Sequence, residues 1–104
     1  MPVFRNRISS RFDCAEKILI VEIHGGTIVR RQEIRWTHAG ILERIHILLQ
    51  EGVGILICGG LTETCALLLR EDNIEVIPWI RGEIGEVLSR FMQGTLRTTT
   101  RSSP

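Results

Sequence analysis

The hydrophobic pattern of the first third of the chain predicts β-strands. Residues 3–4 are typical of a short opening strand, and the mostly polar segment 5–11 that follows predicts a turn. The segment 17–23 is rich in β-branched and leucine residues, and apolar residues return at even positions in the segment 27–36. The glycine pair 25–26 between them can adopt the positive φ of a tight turn. We therefore expect an antiparallel hairpin whose second strand has one solvated face.

The middle and the end of the chain show three amphipathic helical patterns. Thr37 is positioned to cap the first helix, which Gly52 ends. Thr62 is positioned to cap the second, which ends at residues 72–73, and Gly94 follows the third. Apolar residues repeat at helical spacing in the first helix (Ile41, Leu42, Ile45, Leu48 and Leu49) and in the third (Ile84, Val87, Leu88, Phe91 and Met92).

Two further strands are expected between these helices. The segment 53–58 is apolar at successive positions, which is typical of a central strand buried on both faces. The segment 74–79 contains Pro78, which lacks a backbone donor, so this strand lies at a sheet edge or ends there.

The order of these elements predicts an α/β protein. Three strands come first, and then helices alternate with strands, which gives a mixed five-stranded sheet with an N-terminal antiparallel hairpin, parallel central strands and about three helices. We expect a single domain over residues 1–96. Residues 97–104 have no apolar side chain and predict a disordered tail.

Composition and charge exclude several classes of protein. Thirteen basic and twelve acidic residues leave a formal charge of +1, with both signs interleaved, so no nucleic-acid-binding patch is expected. The apolar runs are far shorter than the ~20 residues of a membrane span. Three cysteines, without an apolar signal segment ahead of them, predict free thiols in the reducing cytoplasm.

The residues that could carry chemistry follow the strands, because open α/β sheets bind ligands at the carboxyl ends of their strands. Cys58 ends the predicted central strand, and Gly59 and Gly60 allow another group to approach the backbone. Cys65 is expected in the first turn of the next helix, where the helix dipole lowers the pKa of a thiol. With His38, which precedes the first helix, they could bind a soft metal. Buried, structural cysteines and an exposed loop histidine are the open alternatives.

Signatures of enzymes are absent from the sequence. A glycine pair precedes the second helix without a Walker lysine or a dinucleotide fingerprint, and aspartate occurs only at positions 13 and 72, which argues against a magnesium site. We therefore expect no enzymatic activity. A nucleophilic Cys58 or Cys65 with His38 as its base is the alternative that the sequence leaves open.

Several segments together resemble a known family. Residues 2–4, the stretch 7–15 (Arg-Ile-Ser-Ser-Arg-Phe-Asp-Cys-Ala), the hairpin, the stretch 52–60 and the stretch 74–79 look like the dinitrogenase iron-molybdenum cofactor biosynthesis family, the small domain of the NifX, NafY and NifB type. The resemblance covers residues 2–96. It implies a ribonuclease H-like fold without nuclease chemistry. It also implies binding or carriage of iron-molybdenum cofactor, its iron-sulfur precursor or a molybdenum-copper sulfide cluster.

The resemblance also implies site residues. His38 matches a histidine that precedes the first helix in the family, and the loop from Ser9 to Phe12 matches a loop that lines the same edge. Together with the strand-end residues, the predicted cofactor-binding set is Ser9, Phe12, His38, Cys58, Gly59, Gly60 and Cys65, with Cys58, Cys65 and His38 as the metal ligands. The chain differs from the family in three respects: few residues precede Pro2, Asp13 replaces a common glycine, and the segment 36–39 is short.

These observations predict a small, non-enzymatic cluster carrier whose partners are the cluster or the proteins of cluster synthesis. The alternative is a protein–protein interaction or regulatory module of the same fold with no bound metal, which could form a homodimer through a sheet edge.

Overall fold

The computed structural model describes residues 1–94, so the predicted tail at 97–104 lies outside the described residues. In order, the elements are β1 (Pro2–Phe4), β2 (Arg7–Ile8), β3 (Lys17–His24), β4 (Thr27–Arg35), α1 (Ile41–Gln50), β5 (Ile55–Ile57), α2 (Glu63–Glu71), β6 (Glu75–Ile77) and α3 (Ile84–Met92). None of the helices within residues 1–94 is long and apolar enough to cross a membrane.

Four strands form an antiparallel sheet in the order β2-β1-β3-β4. Its centre is the predicted hairpin of β3 and β4, whose turn residues Gly25 and Gly26 have φ of 58° and 77°. The predicted turn over 5–11 is wrong in part, because Arg7 and Ile8 form the short strand β2 against β1. The chain reverses at residues 5 and 6, where Arg5 has a φ of 57°.

The strands β5 and β6 form a separate, parallel two-stranded sheet. The prediction of parallel strands is confirmed, whereas a single mixed sheet of five strands is not. The reason lies in β1, which is three residues long and pairs with β3 only through Pro2 and Val3, so that no strand of the described chain joins β3 to β5. The strand β5 is also less buried than predicted, since Ile55 is 43% exposed. The strand β6 ends immediately before Pro78, as expected.

The first helix begins later than predicted and buries a different face. Its N-cap is Gly40, which offers no side chain, while the Thr37 hydroxyl donates to the Glu16 carbonyl at 3.5 Å. Leu42, predicted to be in the core, is 70% exposed, and Arg44 is buried in its place. The buried face is rotated toward Arg44 because its guanidinium bonds three main-chain carbonyls beneath the helix.

The second and third helices follow the sequence prediction. The Thr62 hydroxyl accepts a hydrogen bond from the Cys65 amide at 3.1 Å and caps α2, and Asn73 ends the turn after α2 with a φ of 63°. In α3, Ile84, Val87 and Leu88 are buried, whereas Met92, predicted on the same apolar face, is 39% exposed at the end of the helix.

Two apolar clusters make up the core. One lies between α3 and the four-stranded sheet and contains Val3, Ile8, Leu19, Ile57, Val87 and Leu88, among others. The other lies against α1 and α2 and contains Phe12, Ile18, Trp36, Leu48, Leu56, Cys58, Cys65 and Leu69, among others. Successive residues of β3 therefore serve different clusters, as the alternation of side chains in a strand requires.

We expect Leu88→Ala to lower the free energy of unfolding by about 2–5 kcal/mol, because Leu88 is 4% exposed in the first cluster and its truncation leaves a cavity. Urea unfolding followed by circular dichroism measures the loss. The matched control is Leu42→Ala on the exposed face of α1, which should change stability by less than about 0.5 kcal/mol. A loss below about 1 kcal/mol for Leu88→Ala would contradict the packing of α3 described above.

Candidate functional site

The segment after β5 meets the loop between β2 and β3. The Gly60 amide donates to the Ser10 carbonyl at 2.7 Å, and the Phe12 amide donates to the Gly60 carbonyl at 2.8 Å. Arg11 and Gly60 thereby form a parallel bridge. We call this meeting point, residues 9–12, 58–60 and 79, the strand-end rim. It brings together Ser9, Phe12, Cys58, Gly59 and Gly60, as the sequence predicted for residues at a strand end.

Glycine is required at the strand-end rim because the chain approaches itself closely. A Cβ on Gly59 would lie 2.5 Å from the Ser9 carbonyl oxygen, and one on Gly60 would lie 2.9 Å from the ring of Trp79. Both glycines are buried. The groups that approach this backbone are thus the loop of residues 9–12, which we call the serine loop, and the indole ring of Trp79. The sequence had suggested that a bound ligand would lie there.

Ser9 and Phe12 are buried at the strand-end rim. The Ser9 hydroxyl donates to the Arg11 carbonyl at 3.2 Å, which fixes the loop from within. Phe12 is fully buried and its ring meets that of Trp36 edge-on, with centroids 5.5 Å apart. Their geometry therefore indicates that both residues hold the loop in place.

The two cysteines of the predicted ligand set are also buried. Cys58 is fully buried and Cys65 is 3% exposed, and both belong to the second apolar cluster. Burial raises the pKa of the Cys58 thiol to about 12 and also raises that of Cys65. The expected lowering of the Cys65 pKa by the helix dipole is therefore not found. Both side chains are protonated, small apolar groups at neutral pH.

The exposed side chains that could bind a metal, His38 and Cys14, lie on loops next to the strand-end rim. His38 is exposed on the loop before α1, and Cys14 is the exposed cysteine on the loop before β3. The two loops are fastened together, since the Trp36 amide donates to the Glu16 carbonyl at 3.0 Å and its indole donates to the Ala15 carbonyl at 3.1 Å. We call residues 13–16 and 36–40 the donor surface.

Arg44 supports the donor surface from below. Its guanidinium donates to the carbonyls of Phe12 at 2.8 Å, Ala39 at 2.9 Å and Trp36 at 3.4 Å, and it lies over the Trp36 ring, 4.7 Å from its centroid. Burial lowers its pKa, and the nearby Asp13 and Cys14 act in the opposite direction. The cation therefore links carbonyls of the two loops, and the Trp36 carbonyl also accepts from the Ala39 amide at 2.9 Å.

Sequence reasoning missed Arg44 and Trp79. The available signal for Arg44 was its position, because it shares the helical face of Ile41, Ile45 and Leu48. Trp79 gave no local signal. It lies against Gly60 with a φ of 61°, a conformation rare for an aromatic residue, and its side chain is 46% exposed.

The side chains within residues 1–94 do not form a complete metal site. No group of three or more His, Cys, Asp or Glu side chains there is close enough together to hold a metal ion. Of the two acidic residues of the donor surface, Asp13 and Glu16, Asp13 is engaged by Arg11 at 2.9 Å, which lowers the pKa of Asp13. The large cavity of the fold lies elsewhere, between β3 and β5.

We expect Gly59→Ala to destabilise the protein by about 1–3 kcal/mol, because its methyl group must push the Ser9 carbonyl away. Gly54→Ala is the matched control: its Cβ would meet no atom within 4 Å, so the free energy of unfolding should change by less than about 1 kcal/mol. If urea unfolding shows that the two substitutions lower the free energy of unfolding equally, the close approach of Gly59 to Ser9 does not determine stability.

The Cys58 thiol should make stability fall in alkaline solution. The folded chain holds the thiol proton to about pH 12, while the ordinary pKa is 9.0, so this contribution is fully present below pH 9 and is lost as the pH rises toward 12. Relative to Cys58→Ala, the wild type should lose roughly 1–2 kcal/mol between pH 8.5 and pH 10.5, measured by urea unfolding with a reductant. Leu69→Ala, which keeps the thiol, should follow the wild-type slope. If the free energies of unfolding of wild type and Cys58→Ala depend on pH in the same way, burial does not raise the pKa of the Cys58 thiol.

Comparison with known proteins supports the fold and identifies the family. No curated protein sequence matches this chain. The crystal structure of PH0822 is similar, with a TM-score of 0.84 and 17% sequence identity over 89% of this chain and 83% of that chain. A likeness at this identity concerns the fold alone. The family model for dinitrogenase iron-molybdenum cofactor matches residues 3–94. The chain therefore belongs to the dinitrogenase iron-molybdenum cofactor family, as its sequence segments predicted.

Proposed function

We propose that this chain binds a metal-sulfur cluster of iron-molybdenum cofactor biosynthesis as cargo, in the cytoplasm, and passes it on without catalysing a reaction. The observation that carries the proposal is membership of the family over residues 3–94. Iron-sulfur, iron-molybdenum and molybdenum-copper sulfide clusters are the candidate cargoes. The partners are then the proteins of cluster synthesis that deliver or receive the cluster. The ribonuclease H-like fold and the single domain over 1–96 belong to the same proposal.

The donor surface is the part of the chain that suits a cargo site best. Cys14 offers an exposed thiol and His38 an exposed imidazole, which are the donor types that iron, copper and molybdenum-sulfide centres accept. Exposure matters for a carrier because the cluster must arrive and leave without unfolding the core. The hydrogen bonds of Trp36 to Ala15 and Glu16 keep the two donor loops in contact.

The charge beneath the donor surface favours an anionic cargo. Arg44 is buried there, and its guanidinium bonds main-chain carbonyls and no carboxylate within the described residues. A buried cation in a low-dielectric surrounding attracts negative charge strongly. A sulfide cluster with net negative charge, held by Cys14 and His38, would therefore be stabilised by Arg44.

The buried thiols of Cys58 and Cys65, which the sequence predicts as metal ligands together with His38, are the second candidate ligands here. Coordination by Cys58 or Cys65 requires loss of a proton that burial makes harder to remove. It also requires that the second apolar cluster open. We therefore rank Cys14 and His38 ahead of them and test both sets together.

The test is anaerobic reconstitution of the full chain with iron and sulfide, and separately with tetrathiomolybdate and copper(I). Metal retained after gel filtration is measured for wild type, Cys14→Ser, His38→Ala, Cys58→Ser and Cys65→Ser. We expect Cys14→Ser and His38→Ala to weaken retention by more than the ~10-fold of an outer-shell loss. His46→Ala on the exposed face of α1 is the matched control and should bind as wild type does.

Two results would refute parts of this proposal. Retention lost only in Cys58→Ser and Cys65→Ser would move the site to the buried thiols. A wild-type chain that retains no metal under either condition would end the carrier proposal.

An interaction module is the second candidate function, and the outer edge of β4 favours it. This strand is nine residues long, ends the four-stranded sheet and is largely exposed. Exposed strand edges recruit strands of other chains. A dimer of metal-free protein in sedimentation analysis, dissociated by Val29→Pro in this strand, would support it, since proline removes a backbone donor.

A further inference from the structure

The outer edge of β4 has no partner strand within residues 1–94. The strand ends the four-stranded sheet, whose order is β2-β1-β3-β4, and it pairs only with β3. It is nine residues long, and each of its residues is at least partly exposed. Exposed strand edges pair with other chains unless charges or irregularities prevent it. The charges of β4 therefore determine which pairings this edge allows.

The hydrogen bonds to β3 show which backbone groups of β4 face outward. The Trp36 amide donates to the Glu16 carbonyl at 3.0 Å, so residues 16 and 36 form a hydrogen-bonded pair. In the register of β3 and β4, the even-numbered residues of the segment 30–34 are then also bonded to β3. The N–H and C=O groups of Arg31, Glu33 and Arg35 therefore point away from β3.

The side chains of these three residues lie on one face of the sheet, because side chains alternate along a strand. The face is the one that α3 covers, since Arg31 lines a groove with Gly85 and Ser89 of that helix. All three side chains are exposed, and their charges alternate: positive at Arg31, negative at Glu33 and positive at Arg35. A partner strand fits this edge when it places a negative charge opposite Arg31 and a positive charge opposite Glu33.

Given the interaction role proposed above for β4, we propose that its partner is β4 of a second copy, paired antiparallel with Gln32 opposite Gln32. In this register Arg31 of each copy lies opposite Glu33 of the other, and the paired segments run from 29 to 35. Both residues have outward backbone groups, so each Arg31–Glu33 pair exchanges two main-chain hydrogen bonds. A twofold axis passes through the Gln32 pair, and the four-stranded sheets of the two copies become one continuous sheet.

Charge selects this register over its neighbours. The outward groups belong to odd-numbered residues and bond only to each other, so every symmetric register is centred on one residue. Centring on Arg30 or Arg31 places an arginine opposite itself, and centring on Glu33 places Arg31 opposite Arg35. Like charges directly opposite one another are destabilising. Centring on Ile34 leaves only residues 33–35 of β4 in the overlap, and centring before residue 30 crosses the β-bulge at residue 29.

A second copy also suits this edge better than a strand of uniform charge. An acidic strand would meet a like charge at Glu33, and a basic strand would meet like charges at Arg31 and Arg35. In the paired copies, Glu33 lies between two cations, Lys17 of its own β3 at 3.8 Å and Arg31 of the second copy. The contact is a single strand pair, so it belongs to the small interfaces and forms a weak dimer.

The test reverses these charges and follows dimerisation of the metal-free, full chain by sedimentation equilibrium in a reductant. Arg31→Glu brings glutamates opposite each other and Glu33→Arg brings arginines opposite each other, so each variant alone should dimerise at least ~10-fold more weakly than wild type. An equal mixture of the two variants restores opposite charges in both pairs. With a fluorophore on one variant, the mixture should form a heterodimer of about wild-type affinity.

The matched control is Arg70→Glu, an equal change of charge at an exposed position of α2, which should dimerise as wild type does. Circular dichroism checks that every variant is folded. Metal retention by Arg31→Glu should equal that of wild type, so the carrier proposal is tested independently of this pairing.

Three outcomes would overturn the proposal. A wild-type chain that stays monomeric at every concentration excludes a second copy as the partner of β4. Dimers that Val29→Pro dissociates but that neither charge reversal weakens would keep the interaction role of β4 and exclude the pairing at Gln32. Dimers that neither Val29→Pro nor the charge reversals weaken would exclude both, because the contact would then lie elsewhere on the chain.

Discussion

The contact between the serine loop and the glycine pair holds the two sheets in one structure. The strands β3 and β5 share no hydrogen bonds in the described chain, so the backbone bonds of Gly60 to Ser10 and Phe12 provide a link that the sheets themselves lack. Only glycine allows this approach at position 59. Phe12 then lies deep in the second apolar cluster, and Trp79 covers Gly60 from the outside.

Arg44 fixes the loops of the donor surface by hydrogen bonds from within the fold. Its hydrogen bonds fix the carbonyls of Phe12, in the loop before β3, and of Trp36 and Ala39, in the loop before α1. A buried cation that hydrogen-bonds only neutral carbonyls is unusual, because desolvation of a charge is costly, and the charge of the nearby Asp13 offsets part of this cost.

Local pattern was sufficient to predict most elements, but contacts between distant segments determined the rest. The hairpin, the cap at Thr62 and the apolar face of α3 depend on neighbours within a few positions, and all three are confirmed. The start of α1 was misjudged because Thr37 bonds Glu16, which is 21 positions away. The sequence placed Cys58 at a strand end and Cys65 in the first turn of a helix, whereas their burial depends on how α2 packs, which no spacing in the sequence reveals.

The strand-end rim has a consequence for how the protein folds. Hairpin β3–β4 and the unit of β5, α2 and β6 are each built from nearby residues, whereas Phe12 and Gly60 are separated by 48 positions. Closing a long loop costs entropy before any contact forms, so non-local pairings are made slowly. We therefore expect the two halves to acquire structure first and the rim to close last. The serine loop would thus be ordered only in the fully folded protein, and a chain still being synthesised would not yet have it in place.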